Sequence, residues 1–122
     1  MLDQHLLDRL RKQEPRYHEA AFVFVLSALH HVIEGLEEPR HITGRELAEG
    51  ARDLALREFG PMARTVLEHW GIRATDDFGR IVFALVECGI LIKQETDSPD
   101  DFQALFDFAE TFDRDYPWGG SV

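Results

Sequence analysis

The stretch Ala74–Glu95, ATDDFGRIVFALVECGILIKQE, decides how the chain is read. Phe78, Ile81, Val82 and Leu85 recur at helical spacing, so a helix should bury that face. Thr75 is the expected N-cap, and Asp76 and Asp77 fall in the first turn, where the helix dipole favours negative charge. Gly89 should stop the helix. The ILIKQET that follows is β-branched and partly alternating, and FQALFDF sets Phe102, Ala104, Phe106 and Phe108 at period two across a polar DSPDD connector. That pattern predicts a β-hairpin. The same residues also fit a helix capped by Ser98 with Pro99 in its first turn, burying Phe102, Leu105, Phe106, Ala109 and Phe112.

Upstream, Thr43 followed three residues later by Glu46 is a capping-box pattern, so a helix should begin there and run through Leu47, Ala51, Leu54 and Phe59. Gly60 can close it and Pro61 can open the next, PMARTVLEHW, which ends at Gly71. Before these, Leu2, Leu6, Leu7 and Leu10 mark a short amphipathic helix ending ahead of Pro15. From Arg16 to Leu36, Tyr17, Ala21, Phe24, Ala28 and Val32 share one face while Phe22, Val25, Leu29 and Ile33 fill another. A helix apolar around most of its circumference belongs at the centre of a fold. Gly35 and the polar EEPRH end it.

Three helices with a tight second-to-third turn and then a hairpin describe a mainly α, α+β domain. The arrangement is winged-helix-like with two additional N-terminal helices; an all-α bundle is the alternative. The expected division is a single domain, with 1–42 as a helical extension, 43–112 as the winged-helix-like core and 113–122 as a loosely held tail. A length of 122 residues, 44% of them apolar, suits one hydrophobic core.

The longest nearly unbroken apolar run, AAFVFVLSAL from Ala20 to Leu29, is half of the roughly 20 residues a membrane span needs. No membrane association is expected. The first residues lack the basic-then-apolar order of a signal peptide, so a cytoplasmic location follows as the default. The single cysteine, Cys88, excludes an internal disulfide and any CxxC motif, and its apolar helix suggests an inert thiol. The net charge of −10 is unevenly spread: residues 76–122 carry eleven acids against Arg80, Lys93 and Arg114.

The string RHITGRELAEGARDLALREFGPMARTVLEHWGIRATDDFGRIVFALVECGILIKQETDSPDDF, with the later FDF, resembles the Verrucomicrobia and Planctomycetes restricted family of conserved hypothetical proteins. The likeness runs from about Tyr17 to Phe112, and FGPMARTVLEHWGI is its most specific part. It implies a bacterial cytosolic protein and brings no catalytic or binding residues with it.

For a nucleic-acid reader the charges are misplaced. The outward stripe of the Thr75 helix is Asp76, Arg80, Phe83 and Glu87, and the tip of the expected wing is Asp97, Asp100 and Asp101. Phosphate contacts need Lys and Arg there, so nucleic acid is disfavoured as a partner. Arg45, Arg52, Arg57, Arg64 and Arg73 read instead as members of paired surface charges. HExxH, GxSxG, GxxxxGK[ST] and GxGxxG are all absent, which weakens an enzymatic reading and leaves no catalytic residue and no cofactor to nominate. His30 and Glu34, with His31 adjacent and His41 after the loop, could gather around a metal, but the adjacent His30 and His31 point about 100° apart so that at most one joins Glu34, and capping or surface roles account for them without an ion. No metal is expected.

What remains is protein binding. Phe83 in a charged stripe needs a cover, and the acids around it favour a basic protein surface. Trp118, beside Tyr116 and two glycines, is a second docking candidate. The expected partner-binding set is therefore Asp76, Arg80, Phe83, Glu87, Asp97, Asp100, Asp101 and Trp118 of a non-catalytic interaction or assembly module. Homodimerisation through Leu2, Leu6 and Leu10 is a separate route. A DNA-binding regulator using a different face is the runner-up, and a small carboxylate- or histidine-based enzyme the third class.

Overall fold

The computed structural model describes residues 4–38, 40, 42–91 and 105–106. Five α-helices follow in order: α1 (Gln4–Gln13), α2 (Glu19–Glu34), α3 (Gly44–Phe59), α4 (Ala63–His69) and α5 (Thr75–Glu87), with one 3₁₀ turn, Gly60–Met62, between α3 and α4. No strand occurs among the described residues.

α2 is the central element and packs against α1, α3 and α5. Its Ala21, Phe22, Phe24, Val25 and Ala28 are all buried. α2 thus supplies the middle of the core. The tightest approach is to α3, where small residues let the backbones close: a Cβ added at Gly50 would lie 2.2 Å from Cγ2 of Val32. Of the N-terminal leucine stripe, Leu10 is fully buried and Leu7 buried within this core, and Leu6 is partly buried.

The local chemistry at the helix ends follows the sequence in most places. Thr43 and Glu46 form the reciprocal capping box, Glu46 N–H donating to Thr43 Oγ1 at 3.1 Å and Thr43 N–H to Glu46 Oε1 at 2.9 Å. α4 closes in a Schellman motif, with Gly71 at φ 97° while Gly71 N–H reaches Glu68 O and Ile72 N–H reaches Leu67 O. The position is also crowded, since a Cβ there would stand 2.5 Å from the Arg16 carbonyl oxygen. His18 N–H donates to Trp70 O at 3.0 Å, tying the α1–α2 connection to the end of α4.

Two expectations are corrected. The α+β winged-helix class with its hairpin gives way to an all-α arrangement among the described residues. The reason lies just after α5. Gly89 takes φ 79°, Gly89 N–H bonds to Val86 O, and the amides of Ile90 and Leu91 both turn back to Leu85 O. Those amides complete a second Schellman closure instead of starting a ladder. At the far limb of the expected hairpin, Leu105 N–H donates to Thr75 Oγ1 at 3.0 Å, again not to a strand. The remaining hairpin residues, 92–104 and 107–108, lie outside the described residues. The second correction concerns the start of α5. Its N-cap is Ala74, and Thr75 is its first helical residue, wholly buried and engaged with Leu105.

Candidate interaction surface

Asp77, in the first turn of α5, accepts four hydrogen bonds. Its Oδ2 accepts from the backbone N–H groups of Arg73 at 2.8 Å and Ala74 at 3.1 Å, while Oδ1 accepts from the Tyr17 hydroxyl at 2.5 Å and from Arg80 Nη1 at 2.9 Å. Ala74 offers no side-chain acceptor, so Asp77 alone provides the side-chain half of this cap. Tyr17 is buried, and that burial pushes its phenol well above the ordinary tyrosine range, with the hydrogen bond to the Asp77 carboxylate adding to the effect. A carboxylate whose two oxygens already take four donors, facing a phenol held protonated, forms a structural clamp between the α1–α2 connection and α5. It has no lone pair left to serve as a general base.

The residues expected to bind a partner distribute as follows. Asp76, Arg80, Phe83 and Glu87 do lie along α5, with Arg80 and Glu87 exposed and Asp76 and Phe83 partly buried. Arg80 is drawn to Asp77 and Glu87 accepts from the Gln13 side-chain amide, so both carry internal bonds. Asp97, Asp100, Asp101 and Trp118 lie outside the described residues. His30 and Glu34 sit one turn apart on α2 and His41 is outside the described set. Among the described residues no three of His, Cys, Asp or Glu gather as metal ligands. Cys88 is partly buried and its Sγ donates to Gln13 Oε1 at 3.3 Å. Of the arginines read as surface pairs, Arg45 meets Glu49, Arg52 meets Asp53 and Arg64 meets Glu68.

A surface that the sequence reading did not single out lies along α2. Val23 is 44% exposed and Ile33 46%, unusual for branched apolar side chains on the central helix of a fold. They border a groove of about 720 Å³ lined by Leu6, Leu26, Leu29, Ile90 and Leu91 together with Cys88 and His30. A smaller cavity of about 330 Å³ adjoins it, bounded by the rings of Phe24, Phe59 and Trp70 and by His18, Glu19 and Glu58. The three rings pack on one another with centroids 5.6–6.1 Å apart, giving this cavity a rigid wall. Val23 and Ser27 line both cavities, so the two are halves of one trough. One cue for it was present in the sequence. Val23 belongs to neither apolar face assigned to α2, and it lies one helical turn from Ser27 and two from His30 on a mixed stripe.

No family profile, curated protein or solved structure matches the chain. None of the described helices is long and apolar enough to cross a membrane.

Proposed function

We propose that the chain is a cytoplasmic, non-catalytic protein-interaction or assembly module whose docking face is the trough along α2. The observation that carries this reading is the apolar groove of about 720 Å³ beside exposed Ile33 and Val23. An apolar concavity on the central helix costs free energy in water, and a protein side chain is the natural occupant that relieves it. The four-donor environment of Asp77 supports the non-catalytic part, since the most buried carboxylate among the described residues is consumed in structural hydrogen bonds. Placing the surface on α2 rather than on the Phe83 stripe follows from the engagement of Arg80 and Glu87 within the chain.

The test compares tagged wild type, Val23→Asp, Ile33→Asp and Phe83→Asp for the proteins each retains from native cytosol, with circular dichroism as the control for folding. Loss of the same partner from both α2 variants, and its retention by Phe83→Asp, is the expected result. The reverse pattern would move the surface to α5. Retention by all three would refute both locations.

A further inference from the structure

We propose that the occupant of the trough is an amphipathic helix of another protein, apolar along one stripe and carrying lysine or arginine at both of its ends. The inference deepens the interaction reading above and rests on it.

Shape comes first. The trough follows α2, whose 16 residues span about 24 Å at 1.5 Å per residue, so about four turns of a partner helix could lie beside it. Its walls are helices, and the described residues present no strand edge to which an extended peptide could add. Side chains at i, i+3, i+4 and i+7 of an incoming helix are spaced to enter a continuous apolar channel.

Charge then specifies the partner. Among the described residues no lysine or arginine lines either half of the trough, whereas Glu19 and Glu58 line the end near the start of α2. Glu34 closes α2 one turn beyond the groove-lining His30, and Glu37 and Glu38 follow it in sequence. All three are exposed. Among the described residues none of these five carboxylates forms an ion pair. Glu34, Glu37 and Glu38 also stand at the C-terminal end of a helix, where the dipole is already negative and cations are the stabilising neighbours. A partner bringing positive charge to both ends would meet carboxylates that no described lysine or arginine pairs, Glu19 having only the Gln4 amide and its first-turn position on α2 to stabilise it. A second copy would instead add another −10, and anionic lipid or nucleic acid carries the same sign as the rims.

The experiment uses the full chain and three synthetic helix-favouring peptides of about 16 residues, the length of four turns. One has a leucine stripe with lysines at both ends, one the same stripe with glutamates, and one the lysine composition with the stripe scrambled. Binding is read by fluorescence anisotropy. The lysine-flanked helix should bind at least about tenfold more tightly than the glutamate-flanked one and should weaken as salt rises. Ile33→Asp should abolish binding, and Glu19→Gln with Glu58→Gln should weaken it about three- to tenfold, the range of a few exposed charge pairs. Equal binding of the lysine- and glutamate-flanked helices would overturn the charge specification while leaving apolar docking intact. Equal binding of the scrambled peptide, or indifference to Ile33→Asp, would reduce the effect to non-specific attraction and overturn it. No binding of any peptide, or sedimentation showing self-association that Ile33→Asp removes, would overturn it in favour of another occupant. Partner loss from the α2 variants in cytosol, alongside any of these failures, would leave the interaction module standing without this partner class.

Discussion

Replacing Asp77 by alanine should be among the most destabilising single changes outside the apolar core. Three separate losses follow from the geometry. The Tyr17 hydroxyl, on a residue only 2% exposed, loses its acceptor at 2.5 Å and stays buried without a partner, a cost of about 1–3 kcal/mol. The first turn of α5 loses its side-chain cap, since Arg73 and Ala74 N–H both point at Oδ2, a loss of about 1 kcal/mol. The Arg80 pair adds little, because that guanidinium is about half exposed. A total of about 3 kcal/mol is a large part of the roughly 5–15 kcal/mol that holds a domain together.

Urea unfolding followed by far-ultraviolet circular dichroism measures this directly, read as a midpoint shift at unchanged slope. Tyr17→Phe serves as the internal standard. It removes the phenol and leaves Asp77 with its three other donors, so it should cost only about 1 kcal/mol. Asp77→Asn should fall between the two, since a single carbonyl oxygen cannot serve both pairs of donors. A cost below about 1 kcal/mol for Asp77→Ala, or a larger cost for Tyr17→Phe than for Asp77→Ala, would show that the clamp is not the buried, fully bonded unit described above.

Other measurements test neighbouring features. The Tyr17 phenol titrates higher in the folded chain than in the unfolded one, so its contribution is complete below pH about 10 and declines as pH rises beyond that, and Tyr17→Phe should flatten this alkaline decline. Glu46 is pushed down to about 2 by its bidentate bond to Arg40 and by the Thr43 amide, so its stabilisation is present above the usual glutamate range and is lost as pH falls towards 2; Glu46→Gln should flatten that acid limb. Gly50→Ala should destabilise by about 1–2 kcal/mol despite better helix propensity, because the new methyl meets Val32 at 2.2 Å, and Val32→Ala in the same chain should recover much of the loss in thermal melts. Gly71→Ala, with φ 97° and the Arg16 carbonyl oxygen 2.5 Å away, should cost more than Gly89→Ala, where φ is 79° but no atom lies within 4 Å.

Features that depend on residues close in sequence were legible before the structure. The Thr43–Glu46 capping box, the glycine closures at Gly71 and Gly89 and the central position of α2 all follow from local spacing. The expected hairpin failed because a short β-branched run does not reveal where its amides will go. Ile90 and Leu91 sit within reach of the free carbonyl at the end of α5, and that carbonyl claims them. Thr75 misled for a related reason: its hydroxyl serves a contact thirty residues away instead of its own helix start. The trough is the least legible feature, since it joins residues from α1, α2 and the segment after α5. Ile33 was assigned to a buried face of α2, and only the path of the neighbouring elements leaves it 46% exposed.

The charge distribution links these points. Arg40, Arg45, Arg52, Arg64 and Arg80 are each held by a carboxylate within a few residues in sequence, so much of the positive charge is committed locally and is poorly placed to meet phosphates. Asp77 on α5, expected from the sequence as a first-turn acid favoured by the helix dipole, is consumed in the clamp to Tyr17. The acids without an ion pair among the described residues include Glu19 and Glu58, which line one end of an apolar channel, and Glu34, Glu37 and Glu38, which close α2 and follow it in sequence. Acids left unpaired around an apolar surface raise its negative potential without stabilising the fold, and a cationic partner gains from that potential both during encounter and once docked. The surplus of negative charge is therefore most informative where it borders the channel, because there it restricts which helices could fill it.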